Sequence, residues 1–538
     1  MVSKHWADQL AEQIIERSKK DGSTASAKCQ QTPSGGKHIG NLNDVVRAWF
    51  PVKAVRERGV KCEFVHTTDD RDPFKEIPSK IADLDCKWHS FHEFPELKKY
   101  YGHPYCRTPD PFGCCKNWSE HFTKVWMDGL HAINVKPELF SVNALYEQGK
   151  FDKYLEMVFR KKEIVSEMVT KFQTSKQAGY IPFDAICPNC GVLTNVNEVD
   201  MEAKTVTFAC GGKSIKAKKA EGCGQKATVP WSEGKLQWRF EWPALWCIFN
   251  TTFEPFGKDH AEGSWPAGQE IVRKVFDREP PIPFVYEFFL VNGQKMSASK
   301  GNVYVVQDML KVMEADAFLY FYAKRPERQR DLDLAHLTRM VDEFDEAERI
   351  YFGKSEERTE LREENTKRMY QLAVDKPPAQ MPVRVEYAFC SALIQLLEEE
   401  QALQKLQALG HLKGATPEDL ERAKKRLQLA RNWIQLYAAD EFKVKLVHDH
   451  VAKQEWQKLS PTQQKALSDF AFFFESGRTE EELHNEARSQ AQQHGLQIKE
   501  FFEAAYRLLL GKPKGPRLMA FINALDREEV ARRFRGKP

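Results

Sequence analysis

Hydrophobic and polar residues alternate with two different periods along the chain. Up to about residue 330, short apolar runs such as "KCEFVHTTDD" and "IPFVYEFFLV" stand between stretches of helical spacing. This is the pattern of parallel strands joined by helices. The opening residues, "MVSKHWADQLAEQIIERSKK", predict an amphipathic helix. The first part of the chain is therefore predicted to be an α/β domain with a parallel sheet.

The pattern changes after about residue 340, where strand signals disappear. Stretches such as "VRVEYAFCSALIQLLEEEQALQKLQAL" repeat apolar residues at helical spacing, and Thr416-Pro417 and Ser460-Pro461 are good helix starts. The aromatic run "FAFFFES" at 470–476 is interpreted as core rather than as a base-stacking surface. The charged run "KSEERTELREENTKR" is interpreted as a solvated helix face that links two domains. The last third is predicted to be all helical.

Residues 180–230 differ from both of these regions. They carry cysteine pairs and the lysine-rich stretch "KSIKAKKAEG", and they are too few to bury a core of their own. A metal-held insertion is therefore predicted there. The expected domains are residues 1–179 and 231–335 as the two halves of the α/β domain, 180–230 as the insertion, and 336–538 as the helical domain.

Composition narrows the class of protein. The 538 residues are 42% hydrophobic and 29% charged, which is typical of globular proteins with several domains. The net charge of +3 means that any contact with nucleic acid depends on local patches. Without a long apolar segment or a signal peptide, we expect a cytoplasmic protein that does not associate with membranes. We expect the protein to be a monomer.

Cysteines are concentrated in two clusters, which in a cytoplasmic protein favours metal binding over disulfides. "CPNC" at 187–190 has the spacing of a zinc knuckle, and Cys210 and Cys223 each precede a glycine. We expect zinc on these four cysteines, although twelve residues separate the second pair; the alternative is four buried thiols. A second stretch offers further ligands: His103, Cys106, Asp110, Cys114, Cys115 and His121.

Two short motifs are candidates for a nucleotide site. "TPSGGKHIGNLND" at 32–44 combines glycines with polar groups where a strand leads into a helix, either as a simple turn or as a phosphate loop. "GQKMSASKGN" at 293–302 places a lysine among small hydroxyl residues, which suits a triphosphate. Each motif is weak alone. Their occurrence together, in this order across one α/β region, favours nucleotide binding.

The pair resembles the two signatures of class I aminoacyl-tRNA synthetases, "HIGN" for the first and "KMSAS" for the second. More narrowly, the chain resembles class I lysyl-tRNA synthetases in "PSGGKHIGN", "DDRDPFKEIP", "PDPFGCC" with "SEHF", "LQWRFEWPALW" and "EPFGKDHAEG". These segments span most of the first 330 residues. In the helical third only "GKPKGPRLMAFINALDREEV" is matched. Gln30 replaces a glycine that is usual in the family.

This resemblance implies a Rossmann-type catalytic domain and a helical anticodon-binding domain. It also implies an enzyme that activates lysine with ATP and Mg²⁺ and then transfers the lysine to the terminal adenosine of its tRNA. His38, Asn41 and Lys295 are the implied catalytic residues. The implied ATP contacts are His38, Gly40, Asn41, Lys295, Ser297, Ser299 and Lys300. Ala298 stands where many class I enzymes have a second lysine, and Lys300 can supply part of that charge.

The resemblance also suggests a lysine pocket and a second metal site. Trp238 and His260 are the first-ranked lysine contacts, with Thr32 near the reacting end and Tyr286 or Glu287 near the ammonium. Taken singly, tryptophans are more often core residues and acids are more often solvated. The family points to Asp110, Cys114, Cys115 and His121 as zinc ligands. Spacing alone equally allows His103 with Cys106.

Two other functions remain open from the sequence. A glutamyl-tRNA synthetase shares the two signatures and a helical anticodon-binding domain, and the amino acid that supports pyrophosphate exchange distinguishes it. A zinc-containing RNA-binding protein without catalytic activity belongs to a different class. The presence of His38, Asn41 and Lys295 argues against that second alternative.

Overall fold

The computed structural model describes residues 4–75, 78–172, 179–215, 218–296, 302–357 and 359–537. The chain forms two compact units. The first comprises most of the chain up to Met309, together with Phe318–Leu332 and Thr359–Asp375. The second comprises Leu310–Ala317, most of the stretch from Asp333 to residue 358, and most of the chain after Lys376. The chain thus passes between the units five times.

All strands of the described residues lie before residue 333. They are β1 (Ala25–Gln31), β2 (Cys62–Thr68), β3 (Lys80–Ala82), β4 (Trp88–Ser90), β5 (Glu138–Ser141), β6 (Phe183–Ile186), β7 (Leu193–Asn195), β8 (Glu198–Asp200), β9 (Thr205–Ala209), β10 (Gly212–Ile215), β11 (Lys218–Glu221), β12 (Lys226–Pro230), β13 (Gly234–Leu236), β14 (Phe253–Gly257), β15 (Ile282–Tyr286), β16 (Phe289–Val291) and β17 (Arg330–Leu332).

The central sheet of the first unit is parallel, as the pattern predicts. Its strand order is β15-β14-β1-β2-β5, and every neighbouring pair runs parallel. The chain leaves β1 for β2 on one side and only much later adds β14 on the other. The order therefore reverses between β1 and β14. At such a reversal the loops after the strands diverge and leave a crevice at the carboxyl ends, where α/β proteins bind ligands.

The predicted insertion is made of small antiparallel sheets. β6 lies between β13 and β7, and β9 lies between β12 and β8. β10 and β11 form a separate hairpin. The core of this region includes Phe183, Phe208 and Trp231 and is continuous with that of α7 and α8, defined below. The insertion therefore shares a core with the catalytic unit, as expected for a segment too short to fold alone.

The described helices are numbered in chain order. They are α1 (Trp6–Asp21), α2 (Leu42–Glu57), α3 (Trp118–Ala132), α4 (Val142–Glu147), α5 (Asp152–Arg160), α6 (Lys162–Phe172), α7 (Trp238–Ile248), α8 (Ser264–Lys274), α9 (Val306–Leu310), α10 (Ala315–Ala323), α11 (Thr338–Tyr351), α12 (Glu360–Ala373), α13 (Tyr387–Leu393), α14 (Glu399–Ala408), α15 (Pro417–Leu436), α16 (Asp449–Lys458), α17 (Pro461–Glu475), α18 (Glu480–Gln493), α19 (Ile498–Leu510), α20 (Leu518–Ala524) and α21 (Arg527–Phe534).

Among its described residues the second unit contains helices and no strands, which confirms the prediction for the last third. Both predicted helix starts are present. The Thr416 hydroxyl accepts the N–H of Asp419 at 3.2 Å, and the Ser460 hydroxyl accepts that of Gln463 at 3.2 Å. These bonds satisfy N–H groups that the first helical turn leaves without partners.

The aromatic run on α17 has two different faces. Phe470 and Phe474 are fully buried, whereas Phe472 is 66% exposed. Since α17 is amphipathic, positions four residues apart share the buried face and the position between them turns outward. The interpretation of the run as core is therefore right for Phe470 and Phe474, and Phe472 is an exposed aromatic residue.

Helix α12, which overlaps the second half of the charged run predicted to be a linker, belongs to the first unit. Lys53 of α2 donates to the carbonyl of Gln371 at 2.7 Å, and Arg368 donates to Asp8 of α1 at 2.8 Å. These bonds tie α12 to the two N-terminal helices. The compact units thus divide the chain differently from the expected domain boundary at 335/336, and that boundary stays a prediction.

Candidate functional site

Two neighbouring cavities open at the carboxyl ends of the parallel strands. The larger has a volume of about 640 Å³ and the smaller about 300 Å³. Asn41, Asp44 and His260 line both, so the two cavities share a wall. β1 and β14 border the point where the strand order reverses, and Thr32 and Glu254 bring these strands to the larger cavity. The crevice expected from the sheet topology is therefore present.

The smaller cavity brings the two sequence motifs together. It is lined by His38, Gly40 and Asn41 from the first motif and by Lys295 and Met296 from the second. Asn41 is the residue that precedes helix α2, so the positive end of that helix dipole lies at this cavity. Ser297, Ser299 and Lys300, also predicted to contact ATP, lie outside the described residues.

The ring of His38 is neutral and its orientation is fixed. Burial lowers the pKa of His38 to about 4, and the positive charge of Lys37 acts in the same direction. Nδ1 of the ring accepts the backbone N–H of Gly40 at 3.1 Å. A neutral ring that accepts at Nδ1 carries its proton on Nε2. His38 can therefore donate one hydrogen bond from Nε2 without carrying a charge.

Gly40 leaves no room for a side chain. A Cβ atom built on Gly40 would lie 2.8 Å from two ring atoms of His38 and 3.0 Å from Cε of Met296. Neighbours at this distance must move. The absence of a side chain at position 40 thus preserves both the His38 ring position and the surface of the smaller cavity.

Lys295 lies exposed at the rim of the smaller cavity. Its Nζ is 4.3 Å from the centre of the Phe288 ring, another lining residue. This contact with an aromatic face orients the ammonium and consumes none of its hydrogen-bond donors. Lys295 therefore retains donors for an anion in the cavity.

The larger cavity contains three of the five predicted lysine contacts: Thr32, Trp238 and His260. The rings of Trp238 and Trp242 are stacked at 5.1 Å, and the His260 ring lies 5.6 Å from that of Trp242. Together they form an aromatic wall. Such a wall can pack the methylene groups of a long side chain and attract a cation.

The other two predicted lysine contacts lie elsewhere. Tyr286 lines the smaller cavity, where its hydroxyl donates to Asp44 at 2.5 Å. Glu287 accepts from Lys258 at 2.8 Å and is not among the lining residues of either cavity. Their role near the substrate ammonium stays a prediction.

A buried ion pair, which sequence reasoning missed, forms part of the larger cavity wall. Lys28 of β1 pairs with Glu254 of β14 at 3.0 Å, and both side chains are almost fully buried. Two indole N–H groups also donate to the Glu254 carboxylate, that of Trp242 at 2.8 Å and that of Trp246 at 2.5 Å. Lys28 also donates to Gln30, the residue that replaces the usual glycine. A fully bonded network of this kind holds the wall rigid.

A second missed network centres on Lys235. Its ammonium lies 2.5 Å from Asp72 and 2.9 Å from Glu241. Burial alone would lower the pKa of Lys235, but the two carboxylates raise it above the usual range. Asp72 also accepts from the hydroxyl of Thr32 at 3.1 Å, and Glu241 from that of Tyr146 at 2.9 Å. Thr32, a predicted substrate contact, is therefore held in place by this network.

Among the described residues, three polar side chains of the larger cavity have buried atoms without partners: Gln31, Asp69 and Asp184, the last of which is taken up below. Within the described part of the chain, neither amide atom of Gln31 has a hydrogen-bond partner, although Gln31 is only 6% exposed. The same holds for one carboxylate oxygen of Asp69, which is 3% exposed. Buried polar groups without partners are costly. Their presence on a cavity wall indicates that a polar ligand completes them.

The four cysteines of the insertion meet at one point. Cys187 Sγ lies 3.7 Å from Cys223 Sγ, Cys190 Sγ lies 3.6 Å from Cys210 Sγ, and all four sulfur atoms are within 4.8 Å of one another. Four thiolates at about 2.3 Å around one zinc ion would have sulfur atoms about 3.8 Å apart. The observed spacing therefore fits a tetrahedral metal ion.

The second cluster also has the geometry of a metal site. Nδ1 of His121 lies 3.1 Å from Asp110 Oδ1 and 3.3 Å from Cys114 Sγ, and the sulfurs of Cys114 and Cys115 are 4.0 Å apart. Nε2 of His121 bonds the carbonyl of Ala82 at 3.0 Å. A proton on Nε2 leaves the lone pair of Nδ1 directed at the cluster, as metal-binding histidines require.

The alternative ligands for this second site, His103 and Cys106, do not join a metal cluster. Cys106 instead donates to Asn143 at 3.5 Å. Among the described residues, the only groups of three or more potential ligands are the four insertion cysteines and the set from Asp110 to His121. The structure thus brings together the ligand set that the resemblance implies.

In the described parts of the chain, none of the helices has both the length and the apolarity that crossing a bilayer requires.

Residues 4–376 match the family described as tRNA synthetases class I (K), and residues 388–537 match the anticodon binding domain family. The chain belongs to the class I tRNA synthetases. Both motifs on the smaller cavity of this synthetase lie within the first match, and the anticodon binding domain lies within its helical unit.

Curated relatives of this synthetase cover nearly its whole length. A lysine–tRNA ligase of Natronomonas pharaonis is 37% identical over 98% of this chain and 97% of its own. Lysine–tRNA ligases of Thermococcus kodakarensis and Methanocaldococcus jannaschii are 33% and 30% identical, over 99% and 98% of this chain and 99% of their own lengths. Among solved structures, a glutamate tRNA ligase from Elizabethkingia meningosepticum is 13% identical with a TM-score of 0.36, a likeness too weak for any conclusion.

Proposed function

We propose that this chain is an ATP-dependent lysine–tRNA ligase. The main support for this proposal is that two cavities share a wall formed by Asn41, Asp44 and His260. One cavity holds the nucleotide motifs, and the other is lined by aromatic rings and carboxylates that suit a cationic side chain. Two substrates bound in these cavities would meet at the shared wall. The names of the curated relatives support lysine as the amino acid.

The first step joins lysine to the nucleotide. A carboxylate oxygen of lysine attacks the α-phosphorus of ATP, the bond to the bridging oxygen breaks, and pyrophosphate leaves. His38 would donate from Nε2 to a phosphate oxygen, and Asn41 would hold a second phosphate oxygen at the start of α2. Lys295 would bind the leaving pyrophosphate as its charge grows, an interaction that is stronger in the transition state than in the ground state.

The second step transfers lysine to tRNA. A ribose hydroxyl of the terminal adenosine attacks the carbonyl carbon of the lysyl-adenylate, and AMP leaves with the electrons of the broken bond. Neither step requires a nucleophile from the protein, because positioning and charge stabilisation are sufficient. The helical unit would bind the anticodon end of the same tRNA, which lies far from the terminal adenosine.

We propose that Mg²⁺ enters with ATP. Two carboxylates of the smaller cavity, Asp44 and Asp259, offer the oxygen ligands that this ion prefers. Burial raises the pKa of Asp44 to about 7. A cation bound beside this carboxylate would stabilise its charged form. The ion would neutralise phosphate charge while the residues of the chain orient the reacting atoms.

We propose that the two metal clusters bind zinc. The four cysteines of the insertion suit a structural zinc ion, because four protein ligands leave no open position. Asp110, Cys114, Cys115 and His121 suit a second zinc ion of the same kind. We propose that the chain acts as a monomer in the cytoplasm, where its tRNA substrate is used.

ATP–pyrophosphate exchange with each of the twenty amino acids tests the proposal. Lysine should support exchange, and S-(2-aminoethyl)cysteine, which keeps the chain length and the ammonium, should support it more weakly. A preference for glutamate would assign the chain to the glutamyl branch. Exchange with none of the twenty would contradict an enzymatic role and leave an RNA-binding protein.

A further inference from the structure

The larger cavity is rich in carboxylates, and most of them already have partners. Five line it: Asp44, Asp69, Asp72, Asp184 and Glu254. The carboxylates of Asp44, Asp72 and Glu254 are bonded to the tyrosine, lysine, threonine and tryptophan groups described above. Within the described residues, only Asp69 and Asp184 of this set have a buried oxygen without a hydrogen-bond partner. A cationic ligand therefore has two carboxylates available to it.

Asp184 is bonded to a cation that comes from another element. Its side chain is buried on β6, Oδ1 has no partner, and Oδ2 is bonded by the ammonium of Lys213 on β10. Lys213 also lines the cavity, and its side chain is 21% exposed. An alkylammonium group at the end of a four-carbon chain thus already occupies this carboxylate.

The side chain of Lys235 runs from the strand position of Asp184 toward the end of the cavity where the substrate would react. Asp184 and Lys235 are direct partners in the antiparallel pair β6–β13, so their side chains lie on the same face. From that position Lys235 extends to Asp72, whose carboxylate accepts from Thr32. One lysine side chain therefore reaches from beside Asp184 to the partner of Thr32.

A free lysine molecule has the same side-chain length as Lys235. If it lies alongside Lys235 in the opposite direction, with its carboxylate toward Thr32 and the shared wall, its ε-ammonium reaches the strand position of Asp184. The stacked rings of Trp238 and Trp242 line the same cavity and can cover its methylene groups. The cavity thus offers an apolar wall and a terminal carboxylate at the spacing that lysine requires.

We propose that Asp184 is the residue that binds the ε-ammonium of the substrate lysine, in the place that Lys213 occupies in the structure. This inference rests on the proposed function and adds the residue that selects the side chain. The carboxylate replaces the water that the ammonium loses on entry. It also repels the carboxylate of glutamate, so the same residue excludes the amino acid of the neighbouring enzyme branch.

Norleucine, which is lysine without the ε-ammonium, separates this role from a structural one. In wild-type protein, KM for lysine in ATP–pyrophosphate exchange and Ki for norleucine as a competitor are measured together. In Asp184→Asn, KM for lysine should rise about 30-fold or more, as expected for loss of a buried charge-assisted hydrogen bond. Ki for norleucine should change less than about threefold. Asp184→Glu should restore part of the preference for lysine.

Two further variants test the assignment. In Lys213→Ala, KM for lysine should stay the same or fall, because the competing ammonium is gone. A rise as large as that in Asp184→Asn would mean that the pair only builds the wall, and would overturn the proposal. Asp69→Asn is the matched carboxylate variant. If it, rather than Asp184→Asn, removes the difference between lysine and norleucine, Asp184 is not the ammonium site.

Equal losses for lysine and norleucine in Asp184→Asn would also overturn the proposal, since they indicate a general defect of the cavity. Thermal unfolding of each variant shows whether the fold is retained. The proposed function is tested separately by the wild-type protein: absence of lysine-dependent exchange there contradicts the function itself. Normal wild-type exchange with unchanged selectivity in Asp184→Asn contradicts only the role of Asp184.

Discussion

Nδ1 of His38 accepts the backbone N–H of Gly40 at 3.1 Å, in a turn too tight for a side chain at position 40. The turn fixes which nitrogen of the ring carries the proton. It therefore determines which hydrogen bond His38 can offer to a phosphate. The hydrogen bond that His38 can offer to a ligand therefore depends on the backbone conformation at Gly40.

Gly40→Ala should impair adenylate formation by displacing the His38 ring and narrowing the smaller cavity. We expect kcat in ATP–pyrophosphate exchange to fall about tenfold or more, since a small misplacement of a catalytic group is costly. Gly263→Ala is the matched control, because a Cβ there would meet no atom within 4 Å. Unchanged exchange in Gly40→Ala, or an equal loss in the control, would contradict this role of the turn.

Lys295→Ala should slow adenylate formation far more than it weakens lysine binding. Losing one charge contact in the transition state costs about 3 kcal/mol, or roughly a hundredfold in rate. Single-turnover formation of the adenylate measures this directly. Lys258→Ala is a suitable control: its ammonium also lies near Phe288, at 5.8 Å, but it pairs with Glu287 and does not line the cavity. Wild-type rates in Lys295→Ala would remove its role.

Purified protein should contain two zinc ions for each chain. Cys187→Ser combined with Cys190→Ser should release one of them and destabilise the insertion, because two of four ligands are lost. Cys114→Ser combined with Cys115→Ser should release the other. Metal analysis of both double variants, beside Cys247→Ser as a cysteine outside either cluster, checks the assignment. Full zinc content in the first double variant would place that ion elsewhere.

Acid should destabilise the first compact unit partly through His66. Burial lowers the pKa of this ring to about 3, and the indole N–H of Trp126 donates to its Nε2 at 2.9 Å. Between pH 3 and 6.5 the unfolded chain therefore binds more protons than the folded protein. The free energy of unfolding rises with pH across this window, and the contribution of His66 is lost as pH falls.

Replacing His66 by glutamine removes this titration. The stability difference between the wild type and His66→Gln should shift by about 2 kcal/mol between pH 7 and pH 5, as measured by urea denaturation. The control variant is His131→Gln, which replaces a histidine that is exposed in the folded protein. A difference independent of pH in His66→Gln would show that the ring takes up its proton over the same pH range in the folded protein as in the unfolded chain.

Phe472→Ala should weaken tRNA binding without affecting adenylate formation. The ring is 66% exposed on the helical unit, and the guanidinium of Arg535 lies 4.2 Å from its centre. Stacking of a base on an aromatic ring contributes about 1–3 kcal/mol, so KM for tRNA should rise about tenfold. Leu436→Ala, at an exposed apolar residue of the same unit, is the control. Equal tRNA kinetics in both variants would exclude stacking on Phe472.

The fold class could be predicted because it depends on local patterns. The meeting of the two motifs at one cavity was expected only from their resemblance to a pair of signatures in a known family. Helical spacing, and capping residues such as Thr416 and Ser460, lie within a few residues of the helix that they define. The cluster of the four insertion cysteines was also predictable, since residue type and the spacing of "CPNC" point to a shared site.

The buried charges could not be predicted in this way. Lys28 and Glu254 lie on adjacent strands of the sheet but are far apart in sequence, and Lys235 meets Asp72 only after the insertion returns to the sheet. A lysine within an apolar run gives no local sign that it is buried and paired. The sequence is equally silent about surface ion pairs. Glu287 follows a strand near the site, but its carboxylate is paired with the ammonium of Lys258.

The chain passes between its two compact units five times, and α12 returns to the first unit after α11 has joined the second. No single cut in the backbone can therefore release either unit with all of its residues. A truncation after residue 335 would remove α12 and expose the surfaces of α1 and α2 that it covers. For the same reason, a gene split at one position would yield two incomplete halves, and only a redesigned chain that rejoins separate segments could test the catalytic unit alone.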